Sequence, residues 1–273
     1  MKPLRSFRLI VCTLLGAFLP GTPPLAETID CTPITSLPAT IDTQGVYCLT
    51  GNLATGIASG NAIEIIANNV TLDLNGWKVG GQAAGTGTLA TGIYSTAVNV
   101  SVKNGIVRGF GIGVYLEGRG AVVQDMLVDQ NTYAGIIATG QGALIEHNQV
   151  VDSGGSTTAT NVDANGIVAG GDGSTVSNNV VSGLIATGSG DEYGIDVEGD
   201  NSTVRDNVVS DTARPAGGGI SEGIFQVESI AVNNTVSNFD YGIDNDGGIY
   251  AHNTAYNCTT NYSGGTAGAG NSP

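Results

Sequence analysis

The sequence has 273 residues, of which 24 are acidic and nine are basic, so its formal net charge is −15 at pH 7. Such an excess of negative charge repels nucleic acid and anionic membrane surfaces. The composition therefore argues against phosphate recognition, and neither nucleic acid nor a membrane is expected as a partner. No Pro-rich linker or charge block divides the chain after its N-terminal leader, which favours a single domain.

The first 26 residues have the pattern of a secretory signal peptide. Three basic residues, the last of them Arg8, precede an apolar run from Leu9 to Leu19, and small and proline residues follow before Ala26. The apolar run is too short to span a bilayer. We expect cleavage after Ala26 and a mature chain that is secreted or periplasmic. The mature chain would contain six basic and 24 acidic residues, which gives a formal charge near −18.

Residues 27–56 lie outside any repeat and are expected to form an N-terminal cap. An open solenoid end would expose a row of unpaired backbone groups, which a cap covers. Cys31 and Cys48 are close in sequence within this segment, and an oxidising compartment favours a disulfide between them. Cys258 is then expected to be a free, buried thiol or an intermolecular partner.

One short phrase recurs through the chain: an apolar residue, two further residues, Asn, any residue and an apolar residue. We call it the Asn phrase. Its clear copies are Ile145–Val150, Val176–Val181, Val204–Val209, Ala231–Val236 and Tyr250–Ala255, and looser copies are Leu74–Val79, Val102–Val107 and Val123–Val128. The looser copies carry Trp77, Gly105 and Met126 at the Asn position. Successive copies are 19 to 31 residues apart, which is typical of a solenoid with insertions in some rungs.

A second phrase, Gly followed by Ile or Val, alternates with the first. We call it the Gly-Ile phrase, and its copies begin at Gly92, Gly113, Gly135, Gly166, Gly194, Gly223 and Gly242, with Ala62-Ile63 opening the series. Each copy predicts a short strand that begins at a turn. Strands this short cannot bury a face alone, so they must stack on copies of themselves, about 4.8 Å apart. The phrases predict an all-β solenoid of about eight rungs over residues 57–261.

The recurring Asn suits a bend between two strands, because Asn tolerates the left-handed backbone conformation and its amide can bond to the same residue of the next rung. Gly105 is expected to supply the same backbone freedom. This pattern resembles the internal asparagine ladder of the pectate lyase-like superfamily, and the region 57–261 resembles the bacterial right-handed β-helix repeat family. The resemblance implies a single-stranded right-handed parallel β-helix. That superfamily hosts lyases, hydrolases, epimerases and adhesins, so the fold alone does not assign a function.

The longest insertions all fall between an Asn phrase and the following Gly-Ile phrase. They are Gly80–Thr91, Ser153–Asn165, Gly183–Tyr193 and Asp211–Glu222. Stacking places these loops on one edge of the solenoid, where insertions often build a binding wall. The Gly-Ile strands would then form the floor. The alternative is that this corner merely tolerates insertion.

The residue after each Ile of the Gly-Ile phrase is expected to point outward. This outward column reads Glu64, Tyr94, Tyr115, Ile137, Val168, Asp196, Phe225 and Asp244. Aromatic faces beside carboxylates suit a carbohydrate, whose rings stack and whose hydroxyls form hydrogen bonds. The predicted polysaccharide-binding residues are Tyr94, Tyr115, Glu117, Arg119 and Phe225, with Tyr94 and Tyr115 stacked on each other.

Two chemistries are open to the carboxylates of this column. Asp196 and Asp244 lie two rungs apart, about 9.6 Å, near the separation of the catalytic pair of an inverting glycoside hydrolase. They are the predicted catalytic residues. Alternatively, Asp196, Glu198, Asp244 and Asp246 form a calcium site through hard oxygen ligands.

Two functions follow from these patterns. The first is a secreted protein that binds a polysaccharide or acts on it as a glycoside hydrolase, lyase or epimerase. The second is a non-catalytic structural or adhesive β-helix of the cell envelope or surface with a protein partner. A monomer is expected in either case. His147 and His252 each precede an Asn of the ladder and are interpreted as turn residues, and residues 262–273 as a Gly-rich tail that is disordered or covers the solenoid end loosely.

Overall fold

The computed structural model describes residues 30–212, 215 and 217–273, so the predicted signal peptide lies outside the described residues. The described chain contains strands joined by turns, one short 3-10 helix and no α-helix. The elements are β1 Thr32–Ile34, β2 Ala39–Ile41, β3 Gly45–Leu49, β4 Leu53–Ala54, β5 Asn61–Ile65, β6 Val70–Asp73, β7 Lys78–Gly80, the 3-10 helix Gln82–Ala84, β8 Thr91–Ser95, β9 Ser101–Arg108, β10 Ile112–Leu116, β11 Val122–Asp129, β12 Ala134–Ala138, β13 Leu144–Glu146, β14 Gln149–Val151, β15 Ala164–Ala169, β16 Thr175–Ser177, β17 Val180–Ser182, β18 Glu192–Val197, β19 Thr203–Arg205, β20 Val208–Ser210, β21 Ser221–Val227, β22 Ile230–Val232, β23 Thr235–Ser237, β24 Tyr241–Ala251, β25 Thr254–Tyr256 and β26 Thr260–Ala267.

The strands stack in parallel as three sheets that run the length of a β-helix. The Gly-Ile sheet contains β2, β5, β8, β10, β12, β15, β18, β21, the first half of β24 and β26. A second sheet holds the residues before each Asn of the Asn phrase, and a third holds the residues after it. Each rung therefore visits the three sheets in turn. The predicted all-β parallel β-helix is confirmed.

Stacked apolar side chains fill the interior. The isoleucine and valine of the Gly-Ile phrases form one column, in which Ile63, Ile93, Val114, Ile136, Ile167, Ile195, Ile224 and Ile243 are fully buried. The first and last apolar residues of the Asn phrases form the other two columns. Each buried side chain contacts its copies above and below, so the core runs as one continuous cluster along the axis.

Two neighbouring residues of the Asn phrase have the two roles predicted for its asparagine, the left-handed backbone conformation and the ladder hydrogen bond. The left-handed conformation belongs to the residue before the ladder asparagine, at His147, Asn178, Asp206, Asn233 and His252, with φ between 55° and 58°. The ladder asparagine itself only forms hydrogen bonds, so the prediction that it also occupies the left-handed position is wrong. The interpretation of His147 and His252 as turn residues agrees with their φ values.

Gly105 is also present for a different reason from the predicted one. It is absent from the residues with positive φ, and a Cβ atom built on it would collide with the side chain of Leu74. Close packing, rather than backbone freedom, therefore requires glycine at this position.

The ladder asparagines Asn148, Asn179, Asn207, Asn234 and Asn253 are almost fully buried. Each donates its side-chain amide to the oxygen of the next asparagine, over 3.0 Å between the first four pairs of neighbouring rungs. Each also donates to a backbone carbonyl of the preceding rung, and its oxygen accepts a backbone N–H. The amides are thus fully bonded in an interior where an unpaired polar group would cost stability.

Parallel pairing extends beyond the limits that the phrases predict at both ends. In the predicted cap, β2 pairs with β5 and β3 with β6, and the predicted disulfide joins Cys31 to Cys48 with a Cα–Cα distance of 5.8 Å. In the predicted tail, β26 pairs with β24, and Asn271 accepts the next hydrogen bond of the ladder from Asn253. The Gly-Ile sheet consequently has ten strands in the described residues, because the cap and the tail each contribute a strand.

The ladder predicts a large penalty for removing one asparagine from its middle. We expect Asn207→Ala to lower the free energy of unfolding by about 3 kcal/mol or more, because it leaves the buried N–H of Asn179 without its acceptor. The matched control is Val208→Ala, at an adjacent residue that is 46% exposed. Urea unfolding followed by circular dichroism would measure both. Equal stability of the two variants would contradict this role of the ladder.

Candidate functional site

The outward column of the Gly-Ile sheet is in the predicted register. Glu64 pairs with Tyr94, Tyr94 with Tyr115, and the series continues through Ile137, Val168, Asp196 and Phe225 to Asp244. All eight side chains are half-buried, whereas the preceding Ile or Val is buried in every rung. From Tyr94 to Asp244 the column spans six rung steps, about 29 Å.

A second column runs beside the first, formed by the residue that precedes each glycine. Tyr193 pairs with Glu222, and Glu222 with Tyr241. A Cβ on Gly194 would point inward and collide with the side chain of Val209, so glycine and isoleucine both occupy the interior. The residues on either side of that pair are half-buried and reach the outer surface.

The two columns together place one aromatic ring and one carboxyl group on each of three successive rungs. Tyr193 and Asp196 lie on the first, Glu222 and Phe225 on the second, and Tyr241 and Asp244 on the third. On the first and third rungs the ring precedes the glycine and the acid follows the isoleucine, whereas on the middle rung the acid precedes and the ring follows. Acids and rings therefore alternate from rung to rung within each column. We call these six residues the acid–aromatic face.

Asp196 and Glu222 have unusual surroundings for carboxyl groups. Burial raises the pKa of Asp196 to about 7, with a smaller contribution from the charge of Glu198. Burial also raises the pKa of Glu222 to about 7, and the charges of Asp244, Asp196 and Asp191 add to the shift. One buried oxygen of each group has no hydrogen-bond partner within the described part of the chain. Carboxyl groups held in this way mark candidate functional sites.

Tyr193, on the same rung as Asp196, also has a raised pKa. Burial and the surrounding negative charges raise the pKa of Tyr193 to about 12, so its hydroxyl stays neutral and can donate a hydrogen bond. The acid–aromatic face therefore combines two carboxyl groups that are partly protonated at neutral pH, a neutral phenol and apolar ring surfaces.

The predicted loop wall stands beside this face. Aspartate side chains link the loops of residues 153–165 and 183–193 to each other and to residues 217–222. The carboxylate of Asp163 accepts the N–H of Asp191 over 2.9 Å, and the carboxylate of Asp191 accepts the N–H of Ile220 over 2.7 Å. These bonds stack the loops in the same vertical order as the strands that follow them.

The predicted polysaccharide-binding residues fall into two groups on the outward column. Tyr94, Tyr115 and Glu117 are close together, and the Tyr94 hydroxyl donates to Glu117 over 3.0 Å. The two rings meet edge to face, with centroids 5.5 Å apart and planes at 63°, instead of stacking as predicted. Arg119 is exposed at this end. Phe225 lies at the other end, in the acid–aromatic face, beyond the apolar rungs of Ile137 and Val168.

The structure does not assemble the predicted calcium ligands. Among the described residues, no three His, Cys, Asp or Glu side chains form a group that could hold a metal ion. Glu198 and Asp246 are exposed, and Phe225 separates Asp196 from Asp244 in the column. These residues therefore do not fit a calcium site in this arrangement, and calcium binding stays a prediction.

Glu222, Tyr193 and Tyr241 are candidate site residues that the sequence prediction does not include. The Gly-Ile phrase begins at glycine, whereas the residue before glycine recurs with the same spacing and also reaches the surface. Read with that residue included, the three rungs are Tyr193-Gly-Ile-Asp196, Glu222-Gly-Ile-Phe225 and Tyr241-Gly-Ile-Asp244. The signal was present as a repeated four-residue phrase.

Family comparison agrees with this architecture. The family described as the right handed beta helix region matches residues 91–261, which is more than half of the chain. The chain belongs to the right-handed β-helix family. The predicted resemblance to the pectate lyase-like superfamily is confirmed at the level of this fold. No curated protein matches the sequence.

Several solved structures are similar to this β-helix. The Dettilon tailspike protein is 14% identical with a TM-score of 0.56, and the match covers 82% of this chain and 53% of that one. Tailspike protein 2 of an Escherichia coli O157:H7 bacteriophage is also 14% identical, with a TM-score of 0.51, covering 88% and 38%. The chain thus spans about half the length of the first and two fifths of the second. At these identities the similarity shows the fold alone.

The described residues contain no helix that is long and apolar enough to cross a membrane.

The raised pKa values predict that the two carboxyls destabilise the fold as the pH rises. Below about pH 4 each group is protonated in both the folded and unfolded chains, whereas between about pH 4 and 7 the unfolded chain releases the proton first. We expect Asp196→Asn and Glu222→Gln to raise the Tm by a few degrees at pH 8 and to change it little at pH 4. The control is Asp246→Asn, at an exposed residue of the same sheet. Thermal unfolding that shows equal shifts at both pH values would contradict the assignment.

Proposed function

We propose that this protein binds a polysaccharide along the Gly-Ile sheet and hydrolyses a glycosidic bond at the acid–aromatic face. The observation that carries the proposal is the placement of two half-buried carboxyls, each with an unpaired buried oxygen and a pKa raised to about 7, between aromatic rings on one open face.

The rings account for sugar binding on this face. Sugar rings offer C–H faces that pack on aromatic side chains, and Phe225, Tyr193 and Tyr241 supply such surfaces on three successive rungs. The column continues through Val168 and Ile137 to Tyr115 and Tyr94, which gives an extended chain a second contact region. A linear substrate would therefore lie parallel to the helix axis.

Asp196 and Asp244 each carry out one proton transfer of the proposed reaction. Asp196, about half of which is protonated at pH 7, donates its proton in that form to the glycosidic oxygen as the bond to the anomeric carbon breaks. Asp244, two rungs or about 9.6 Å away, accepts a proton from the water that attacks that carbon, at a separation near the inverting range. Glu222 lies on the rung between them, and its ionised form stabilises the developing positive charge of the sugar.

The charge of the face favours a neutral glycan. The charges that raise the pKa values of Asp196 and Glu222 are all carboxylates, Glu198, Asp244 and Asp191 among them. A uronic acid polymer would meet repulsion at each of these groups. Neutral polysaccharides are therefore the proposed substrates, and calcium is not needed to bridge the protein to them.

We also propose that the protein acts outside the cytoplasm. The disulfide between Cys31 and Cys48 and the leader pattern of residues 1–26 support export to the cell exterior or the periplasm. N-terminal sequencing of the natural protein should give a chain that begins at residue 27.

Activity on neutral polysaccharides tests the proposal. We expect Asp196→Asn and Asp244→Asn to lower the rate of reducing-end release by about 10²–10⁴-fold, because each variant removes one proton-transfer step. Glycan-array binding of the same variants should persist, since the rings remain. The matched control is Glu146→Gln, which removes a carboxylate from another sheet and should leave the rate unchanged.

Two results would overturn hydrolysis. The first is an unchanged rate in Asp196→Asn and Asp244→Asn. The second is an absence of both binding and cleavage across neutral and acidic glycans, with or without calcium. Recovery of a specific protein partner together with that absence would support the non-catalytic structural or adhesive function.

A further inference from the structure

The lengths of successive turns create a notch in the loop edge, away from the acid–aromatic face. Residues 81–90 connect β7 to β8, and residues 152–163 connect β14 to β15, whereas the two rungs between them are closed by residues 109–111 and 130–133. Two long loops therefore flank two very short turns. Because rungs stack in register, the short turns leave a gap of about two rungs between the long loops.

The two long loops meet across this gap. The N–H of Thr157 donates to the carbonyl of Thr86 over 3.1 Å, and their hydroxyl oxygens are 3.3 Å apart. This contact joins residues 71 positions apart in the chain. The bridged notch forms a cavity of about 510 Å³ that is open to solvent. Its size is within the range of small-ligand sites.

The notch has a polar floor that is already ordered. Gln82 donates to the side-chain oxygen of Gln130 over 3.0 Å, and Arg108 donates to the same oxygen over 2.7 Å. Arg108 also forms an ion pair with Asp129 at 3.0 Å, so its charge is compensated within the protein. The amide groups are therefore held in place before any ligand arrives, which lowers the entropy cost of binding.

One buried hydroxyl in the notch has no partner. Thr132 lines the cavity and is only 6% exposed, and its Oγ1 has no hydrogen-bond partner among the described residues. That oxygen has less than 1 Å² of accessible surface, so the Thr132 side chain must rotate about χ1 to bring it to the cavity. Buried polar atoms in folded proteins are nearly always bonded, and a ligand in the notch would supply the missing partner after that rotation. Ile185, which is 50% exposed, supplies an apolar surface on the same wall.

We propose that this notch is a second carbohydrate site, which holds one neutral sugar residue. The hydroxyl of Thr132 and the amides of Gln82 and Gln130 match sugar hydroxyls, and Ile185 matches the C–H face of the ring. Asp152, the carboxylate on the lining, disfavours phosphate and other anions. The choice of a sugar rests on the proposed function, whereas the cavity and its unpaired hydroxyl do not. Such a site would anchor a substrate branch or chain end while the bond is cleaved at the acid–aromatic face.

Methyl NMR of the whole mature protein tests the notch directly. Glucose, galactose, mannose and N-acetylglucosamine would be titrated singly, with the methyl groups of Ile185 and Thr132 as reporters. We expect at least one of these sugars to shift both methyl signals. In Thr132→Val, which keeps the shape and removes the hydroxyl, the Kd should rise about tenfold, followed at Ile185. Ile185→Ala should weaken binding to a similar degree, followed at Thr132.

The controls separate this inference from the proposed function. Thr139→Val, at an exposed threonine outside the notch, and Glu222→Gln should both leave sugar binding at Ile185 unchanged. Binding that persists while Asp196→Asn retains full hydrolysis would support the notch and overturn the proposed catalysis. The notch would be overturned if none of the four sugars moved the reporter methyls, or if Thr132→Val bound as tightly as the natural protein.

Discussion

The in-register stacking of short parallel strands is the constraint on which the rest of the structure depends. Each rung satisfies its backbone groups only through the rungs above and below, and the asparagine ladder extends the same rule to a side chain. Residues at corresponding positions of successive rungs therefore lie directly above one another in a column. Residues about 20 to 30 positions apart become neighbours, and a change in one rung affects both adjacent rungs.

Function-related features arise on this scaffold where the repeat varies. Most interior positions stay apolar, so the variation falls on turn lengths and on outward residues, among them those on either side of each Gly-Ile pair. Turn lengths produce the loop wall and the notch. Outward residues produce the acid–aromatic face, in which the charges of Asp196 and Asp244 add to the raised pKa of Glu222.

Much of this arrangement was accessible from the sequence because it is repeated. The Gly-Ile and Asn phrases recur often enough to define the rungs, the outward column and the loop edge. The Gly-Ile phrase does not include Glu222 because it begins at glycine, one residue after that outward position. The Asn phrase predicts the left-handed conformation at the asparagine, whereas the residue before the asparagine adopts it. The strands near Cys31 and after Thr260 carry neither phrase, so only their pairing reveals them. The bridge from Thr86 to Thr157 is a loop contact, which no repeat predicts.

The central claim is that stacking forces Asp196 and Glu222 into surroundings where a carboxyl group prefers to be protonated. Half-buried acids beside other acids cost stability, and such a cost is commonly retained where a protein needs reactive groups. The direct measurement is a ¹³C NMR titration of the two side-chain carboxyls in the folded protein. The account predicts that both titrate near pH 7. Titration of both near pH 4, the ordinary range of carboxyl groups, would contradict it.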